Sequence, residues 1–227
     1  MSFLLADRDP ILSLILNLCA RWLPLPLLLC ALLITPGPPA LATTEEAVLA
    51  GGCFWCLEHD LETVPGVIDV ESGYSGGEST RPTYAEVSGG GTGHQESVRV
   101  RFDNTRLSYP ALLRIYWRNI DPFNPKGQFC DKGDSYRAVI FPDGPDKQLQ
   151  ARESLEAAAR ELETSLSSIQ VELRPFSRFW TAEPYHQNYA SRNGAKYRFY
   201  RFSCGRDRRL EEIWGTRARE GGAWESS

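Results

Sequence analysis

Methionine is almost absent: Met1 is the only one in 227 residues. Such a chain has little side-chain thioether to lose, which suits an oxidising setting. An excess of basic charge is also missing, since 25 Lys and Arg stand against 29 Asp and Glu for a formal net charge of -4. That excludes the strongly basic footprint of a nucleic-acid binder. No apolar run reaches the roughly 20 residues that cross a bilayer, so a polytopic membrane protein is excluded. With 42% hydrophobic and 11% aromatic residues, disorder and collagen-like fibres are excluded as well. Six cysteines are too few for a disulfide scaffold.

What is present begins with a leader. After Arg21 the chain runs through the apolar, twice proline-broken stretch Trp22 to Ile34, and Ala40-Leu41-Ala42 then sets two small residues one apart. This anatomy predicts a cleaved signal peptide or N-terminal targeting segment over 1–42, and an exported, periplasmic or secreted chain from 43 to 227. An uncleaved anchor is the alternative. The remaining segment keeps four cysteines, Cys53, Cys56, Cys130 and Cys204, and is long enough to bury one core without bridges.

Periodicity within 43–227 predicts one α/β (α+β) domain. Ala47 to Ala50 reads as a buried strand closed by Gly51-Gly52, and Phe54 to Thr63 as a helix stopped by Val64-Pro65-Gly66. Val67 to Tyr74 is strand-like, and Ser75 to Gly93 reads as loop. Val98, Val100 and Phe102 alternate with Ser97, Arg99 and Arg101, the pattern of a half-buried strand. Ser108 is placed to cap a helix carrying Leu112, Leu113, Tyr116, Trp117 and Ile120. A strand at Tyr136 to Phe141, a helix at Lys147 to Thr164 and a strand at Ile169 to Leu173 follow, then an irregular, aromatic-rich tail. The order predicts a ferredoxin-like split strand-helix-strand core with an extra helix and strand.

The densest chemical signal is Gly51-Gly52-Cys53-Phe54-Trp55-Cys56. A cysteine where a glycine turn opens a helix meets unpaired N–H groups and the positive end of the dipole, so its thiol is expected to ionise more readily and act as a nucleophile. The bland reading is a buried junction in which Cys53 is a small hydrophobe. A zinc site of Cys53, Cys56 and His59 lacks its second ligand pair, so no metal is expected. Glu96, entering a strand behind Gly93-His94-Gln95, is a candidate acid if burial keeps it protonated. Otherwise it is a solvated strand-edge charge, and His94 a turn residue. Tyr84, Asp131 and Tyr136 supply hydrogen-bonding groups that, taken singly, are more often structural.

The ordered blocks GGCFWCLE, GYSGG, PTYAEV, GTGHQESV, FCDKGDSYRAVIF and AEPYHQNY resemble the A-type peptide methionine sulfoxide reductases, from about Ala47 to Trp214. The resemblance implies Cys53 as nucleophile, and Phe54 and Trp55 as the apolar pocket for the substrate methyl group. It implies Glu96 as the acid that protonates the sulfoxide oxygen, with Tyr84, Asp131 and Tyr136 binding and polarising that oxygen. It implies reduction of the S epimer of methionine sulfoxide, free or in oxidised proteins, by a monomer. Electrons would come from thioredoxin or a thioredoxin-like dithiol, and no metal, flavin or nicotinamide would be needed.

Many relatives have glycine where Cys56 stands and resolve the oxidised cysteine from a glycine-rich tail. Here the tail is charged and offers only Cys204, so Cys204 is favoured slightly over Cys56, with Cys130 third. Two other functions fit some of the residues: a general Cys-x-x-Cys thiol–disulfide oxidoreductase, and an exported binding domain held by two static bridges.

Overall fold

Alternation of apolar and polar residues decides the centre of the fold. In the computed structural model, which describes residues 43–220, Val98, Val100 and Phe102 are fully buried while Arg101 between them faces water. The leader expected over 1–42 lies outside the described residues. The elements in chain order are β1 (Thr44–Ala50), α1 (Phe54–Glu62), β2 (Val67–Ser75), α2 (Tyr84–Gly89), β3 (Gln95–Asp103) and α3 (Tyr109–Trp117). The short strands β4 (Gly127–Gln128) and β5 (Asp131–Lys132) precede β6 (Val139–Phe141), α4 (Pro145–Glu161), β7 (Glu172–Leu173) and β8 (Phe179–Thr181). Toward the end of the described residues come α5 (Tyr189–Arg192), α6 (Gly194–Cys204) and α7 (Arg206–Trp214), then a 3-10 turn at Gly215–Arg217.

The main sheet runs β7-β6-β1-β3-β2-β8. Its inner order β6-β1-β3-β2 is that of two interleaved strand-helix-strand units, as the sequence predicts, with β7 and β8 added at the edges. β3 pairs antiparallel with both β1 and β2, so Ser97 faces Ala50 on one side and Gly73 on the other, and Glu96 faces Tyr74. This register brings Glu96 beside the turn where β1 hands the chain to α1. Gly73 is required there: a Cβ would lie 2.3 Å from the Phe179 ring and 2.4 Å from the Trp180 carbonyl oxygen of β8.

Helix α3 starts as expected, with the Ser108 hydroxyl accepting from Ala111 N–H at 3.3 Å and Pro110 in the first turn. Three local expectations are corrected. The stretch Ser75 to Gly93 is not all loop, because Thr83 and Glu86 form a reciprocal capping box that starts α2. The strand expected from Tyr136 begins only at Val139, and Asp134–Tyr136 is a 3-10 turn. The C-terminal segment is helical rather than irregular. Its last helix buries Arg206, Leu210 and Trp214, one helical turn apart. Trp214 donates its indole N–H to the Ile120 carbonyl at 3.1 Å, so its ring is buried with no polar group unmet, a burial worth about 2–3 kcal/mol. Among the described residues no helix is long and apolar enough to cross a membrane.

Candidate active site

The β1–α1 turn is built so that backbone, not side chain, fills the space behind Cys53. Gly52 adopts φ +85°, and a Cβ there would stand 2.6 Å from the Gln128 Cβ. Gln128 is itself buried and clamped to the Asp121 backbone through both ends of its amide, at 2.8 and 2.7 Å. Buried Arg206 closes the other side, donating to the Asn119 carbonyl at 2.7 Å and the Gly51 carbonyl at 3.4 Å. Cys53 is thereby fixed as the N-cap of α1.

Around it lies a cavity of about 80 Å³ lined by Cys53, Phe54, Trp55, Tyr84, Glu96, Asp131, Tyr136 and Tyr200. All seven residues that the sequence reading placed at the site of reaction line it, joined by Tyr200. The space takes a methyl group and an adjoining polar atom, not a bulky side chain. A larger groove of about 640 Å³ lies at the other end of α1, between His59, Val64, Leu107, Ile115 and Arg219, but no thiol lines it.

Glu96 is buried at 2% exposure, and its Oε2 accepts the Phe54 N–H at 3.1 Å. Burial raises its pKa to about 8, helped by the charges of Asp131 and Cys56 and opposed by the hydrogen bonds from Phe54 and Tyr136. A carboxyl in this position carries its proton at neutral pH. The Tyr84 and Tyr136 side chains line the same cavity, and burial raises both hydroxyls. Burial also raises Asp131, against the Tyr200 hydroxyl that donates to its Oδ2 at 2.7 Å.

The expected acidity of Cys53 is corrected. Burial at 6% exposure pushes its thiol up, and so do the hydrogen bond with Cys56 and the nearby charges of Cys56, Glu96 and Asp131. Cys56 is the thiol held lower, by its hydrogen bond with Cys53 against burial, with Arg206 and Arg201 adding in the same sense. Cys204 is bonded to Cys130, while Cys53 and Cys56 are free thiols. The two static bridges of the binding-domain alternative are therefore not formed. Cys130, Asp131 and Cys204 come within 4.8 Å of one another, but two of these ligand atoms are spent on the disulfide. His59 does not join Cys53 and Cys56 in a ligand set and packs edge-on to Tyr197 at 5.0 Å. His94 is a loop staple, its Nδ1 accepting from Gly77 N–H at 3.1 Å and its Nε2–H donating to the Ser79 carbonyl at 2.9 Å.

Sequence reasoning missed the residues that hold the pocket together. Trp55 donates its indole N–H to His186 Nδ1 at 3.0 Å and stacks on Tyr189 at 3.6 Å between centroids. Burial lowers the His186 pKa, which keeps the imidazole neutral and Nδ1 able to accept. Glu183 accepts from the Tyr74 hydroxyl at 2.8 Å and from Tyr84 N–H at 2.9 Å, joining β2 to the start of α2. Buried Glu58 accepts from Asn188 N–H at 3.1 Å, and the Gln187 amide spans Ser72 through both its ends. These partners come from the segment 183–189, within a block whose composition marked it without naming roles.

Comparison with known proteins agrees with this chemistry. Residues 45–218 match the sequence model of the family described as peptide methionine sulfoxide reductase. The Caulobacter vibrioides peptide methionine sulfoxide reductase MsrA 2 is 48% identical over 179 residues, 78% of this chain and 90% of that protein. The Bacillus licheniformis MsrA is 40% identical over 171 residues, 75% of this chain and 94% of that protein. Among solved structures, methionine sulfoxide reductase A of Corynebacterium diphtheriae superposes with a TM-score of 0.62 at 32% identity, over 70% of this chain and 77% of that one. Reduced Mxr1 from Saccharomyces cerevisiae gives 0.63 at 27% identity, over 69% and 88%.

Proposed function

This chain belongs to the A-type peptide methionine sulfoxide reductase family and is a methionine sulfoxide reductase, and from that premise we propose that it reduces the S epimer at Cys53 and resolves the product with Cys56. The observation that carries the reading is the small cavity in which one thiol, one carboxyl protonated at neutral pH and two tyrosines face the same space.

A sulfoxide oxygen is a poor leaving group until it is protonated. Glu96 Oε2 is occupied by the Phe54 N–H, which leaves Oε1 to present the carboxyl proton to that oxygen. The tyrosine hydroxyls and Asp131 orient the oxygen, and Phe54 and Trp55 take the methyl group. Because burial opposes an ionised Cys53, the sulfur gives up its proton only as it attacks, and that proton restores the one Glu96 passes to the sulfoxide oxygen. Attack of Cys53 sulfur on the sulfoxide sulfur transfers the oxygen, giving the thioether and a cysteine sulfenic acid. The Cys56 thiol then condenses with it, releasing water and forming the Cys53–Cys56 disulfide. A thioredoxin-like dithiol returns both thiols by exchange. Cys204, favoured by sequence, is already bonded to Cys130, whereas Cys56 is a free thiol one helical turn from Cys53, its N–H on the Cys53 carbonyl at 3.1 Å; this supports the choice of Cys56.

A general thiol–disulfide oxidoreductase has no use for a protonated Glu96 or a methyl-sized pocket and is not favoured. In the exported setting read from 1–42, the dithiol donor must itself be delivered across the membrane, and N-terminal sequencing of the native protein tests that setting. The test of the function is single-turnover formation of methionine from each sulfoxide epimer. Wild type is expected to convert the S epimer alone, and Cys53→Ser to convert neither. Conversion by Cys53→Ser would remove Cys53 from the reaction.

A further inference from the structure

The bridge between Cys130 and Cys204 joins two segments that meet at the pocket wall. Cys130 immediately precedes Asp131, and Cys204 ends α6 one helical turn beyond Tyr200. Those two neighbours are hydrogen-bonded across the same gap, Tyr200 hydroxyl to Asp131 Oδ2 at 2.7 Å, and both line the cavity. Cys130 sits in the tight turn of the β4–β5 hairpin, beside Phe129, whose φ is +52°. A bulky residue in that region is strained and stays there only where its surroundings hold it. The bridge is one such hold, with Arg206, whose guanidinium lies 4.4 Å above the Phe129 ring, and Lys132, whose ammonium donates to the Phe129 carbonyl at 3.0 Å. Cys130 is exposed and Cys204 half-buried, so the bridge is open to solvent reductants while Cys53 and Cys56 are covered.

We propose that the Cys130–Cys204 disulfide is a positioning element of the sulfoxide pocket: it holds the strained hairpin against α6 so that Asp131 and Tyr200 keep their hydrogen bond and present one wall to the substrate oxygen. The cysteines act through Asp131 and Tyr200 and do not touch the substrate. A dithiol or phosphine that opens the bridge takes two electrons to the two sulfurs, leaves two thiols and frees the hairpin turn from α6. The inference rests on the reductase reading of the same cavity.

Binding, separated from turnover, tests it. In full-length Cys53→Ser, the affinity for N-acetyl-methionine sulfoxide is measured by calorimetry with the bridge closed and again after opening it with a phosphine, its state checked by alkylation and mass spectrometry. Opening is expected to weaken binding about fivefold or more, the scale of one typical net hydrogen bond. The further substitutions Cys130→Ser and Cys204→Ser should reproduce the open state without reductant. With Tyr200→Phe added, open and closed forms should bind within about twofold of each other, because the bond that the bridge holds is already gone. Equal affinity in the two states, or an undiminished loss in the Tyr200→Phe background, overturns the proposal and leaves the reductase reading intact. Absence of sulfoxide binding in both states removes the two together.

Discussion

Glu96 accepts, through Oε2, the backbone N–H of Phe54, the residue immediately after the thiol it serves. The proposed acid and nucleophile therefore share one rigid junction, and their separation is set by sheet register and helix start rather than by flexible side chains. That contact alone would favour the ionised carboxylate, yet burial wins and the pKa is about 8.

Single-turnover reduction should accordingly fall above about pH 8, as Glu96 deprotonates. Glu96→Gln is expected to slow the step by about 100-fold or more at pH 7, in the range for a lost general acid, and to abolish that falling limb. Stopped-flow profiles from pH 6 to 9.5 read both effects. A Glu96→Gln enzyme with the wild-type profile would show that the proton comes from elsewhere.

Glu183 should matter for substrate affinity although it does not line the cavity. Its carboxylate, held below the ordinary range despite burial by the Tyr84 N–H and the Tyr74 hydroxyl, fixes the first residue of α2 and with it the Tyr84 ring. Glu183→Ala is expected to raise KM for the sulfoxide several-fold, with the rate of Cys53 alkylation by iodoacetamide changed less than twofold. A fall in kcat at unchanged KM would mean that Tyr84 is placed by other contacts.

The sequence was legible where one period dominates. Val98, Val100 and Phe102 announced β3, and Ser108 with Pro110 announced the start of α3. Helix α2 was hidden because only Val87 is buried within it; the Thr83–Glu86 capping box was the signal available. Helix α7 was hidden because one of the three residues on its buried stripe is Arg206, which reads as surface until its carbonyl partners at Gly51 and Asn119 are known. The reacting residues stood out through their motifs, but Tyr200 lies in the polar, aromatic-rich α6, where nothing separates it from exposed Phe199 and Phe202. The Cys53 thiol was misjudged because sequence shows the helix start and not the burial around it.

Glu58 gives the fold a weakness at alkaline pH. Burial raises its carboxyl to about 7, above its value near 4.5 in the unfolded chain. Its contribution is thus fully retained below about pH 4.5 and lost as pH rises through 7, by on the order of 2 kcal/mol. Buried Glu96 acts in the same sense up to about pH 8. Glu58→Gln should flatten the fall in denaturant midpoint between pH 5 and 9. A fall as steep as in wild type would assign the alkaline loss to other groups.

In the proposed cycle Cys56 is the thiol that closes it. Its backbone N–H donates to the Cys53 carbonyl at 3.1 Å, so the two cysteines occupy the first turn of one helix, with Tyr197 and Tyr200 of α6 packed nearby. In Cys56→Ser the first step needs no second thiol, so one equivalent of methionine per chain should still form and a sulfenic acid should persist at Cys53. Dimedone labelling followed by peptide mapping is expected to trap it there, whereas wild type should yield a Cys53–Cys56 disulfide and little adduct. Steady-state turnover with a thioredoxin system should fall to background. If Cys56→Ser instead forms a disulfide from Cys53 to Cys204 and keeps cycling, the outer bridge must open during catalysis, and Cys204 rather than Cys56 resolves the intermediate.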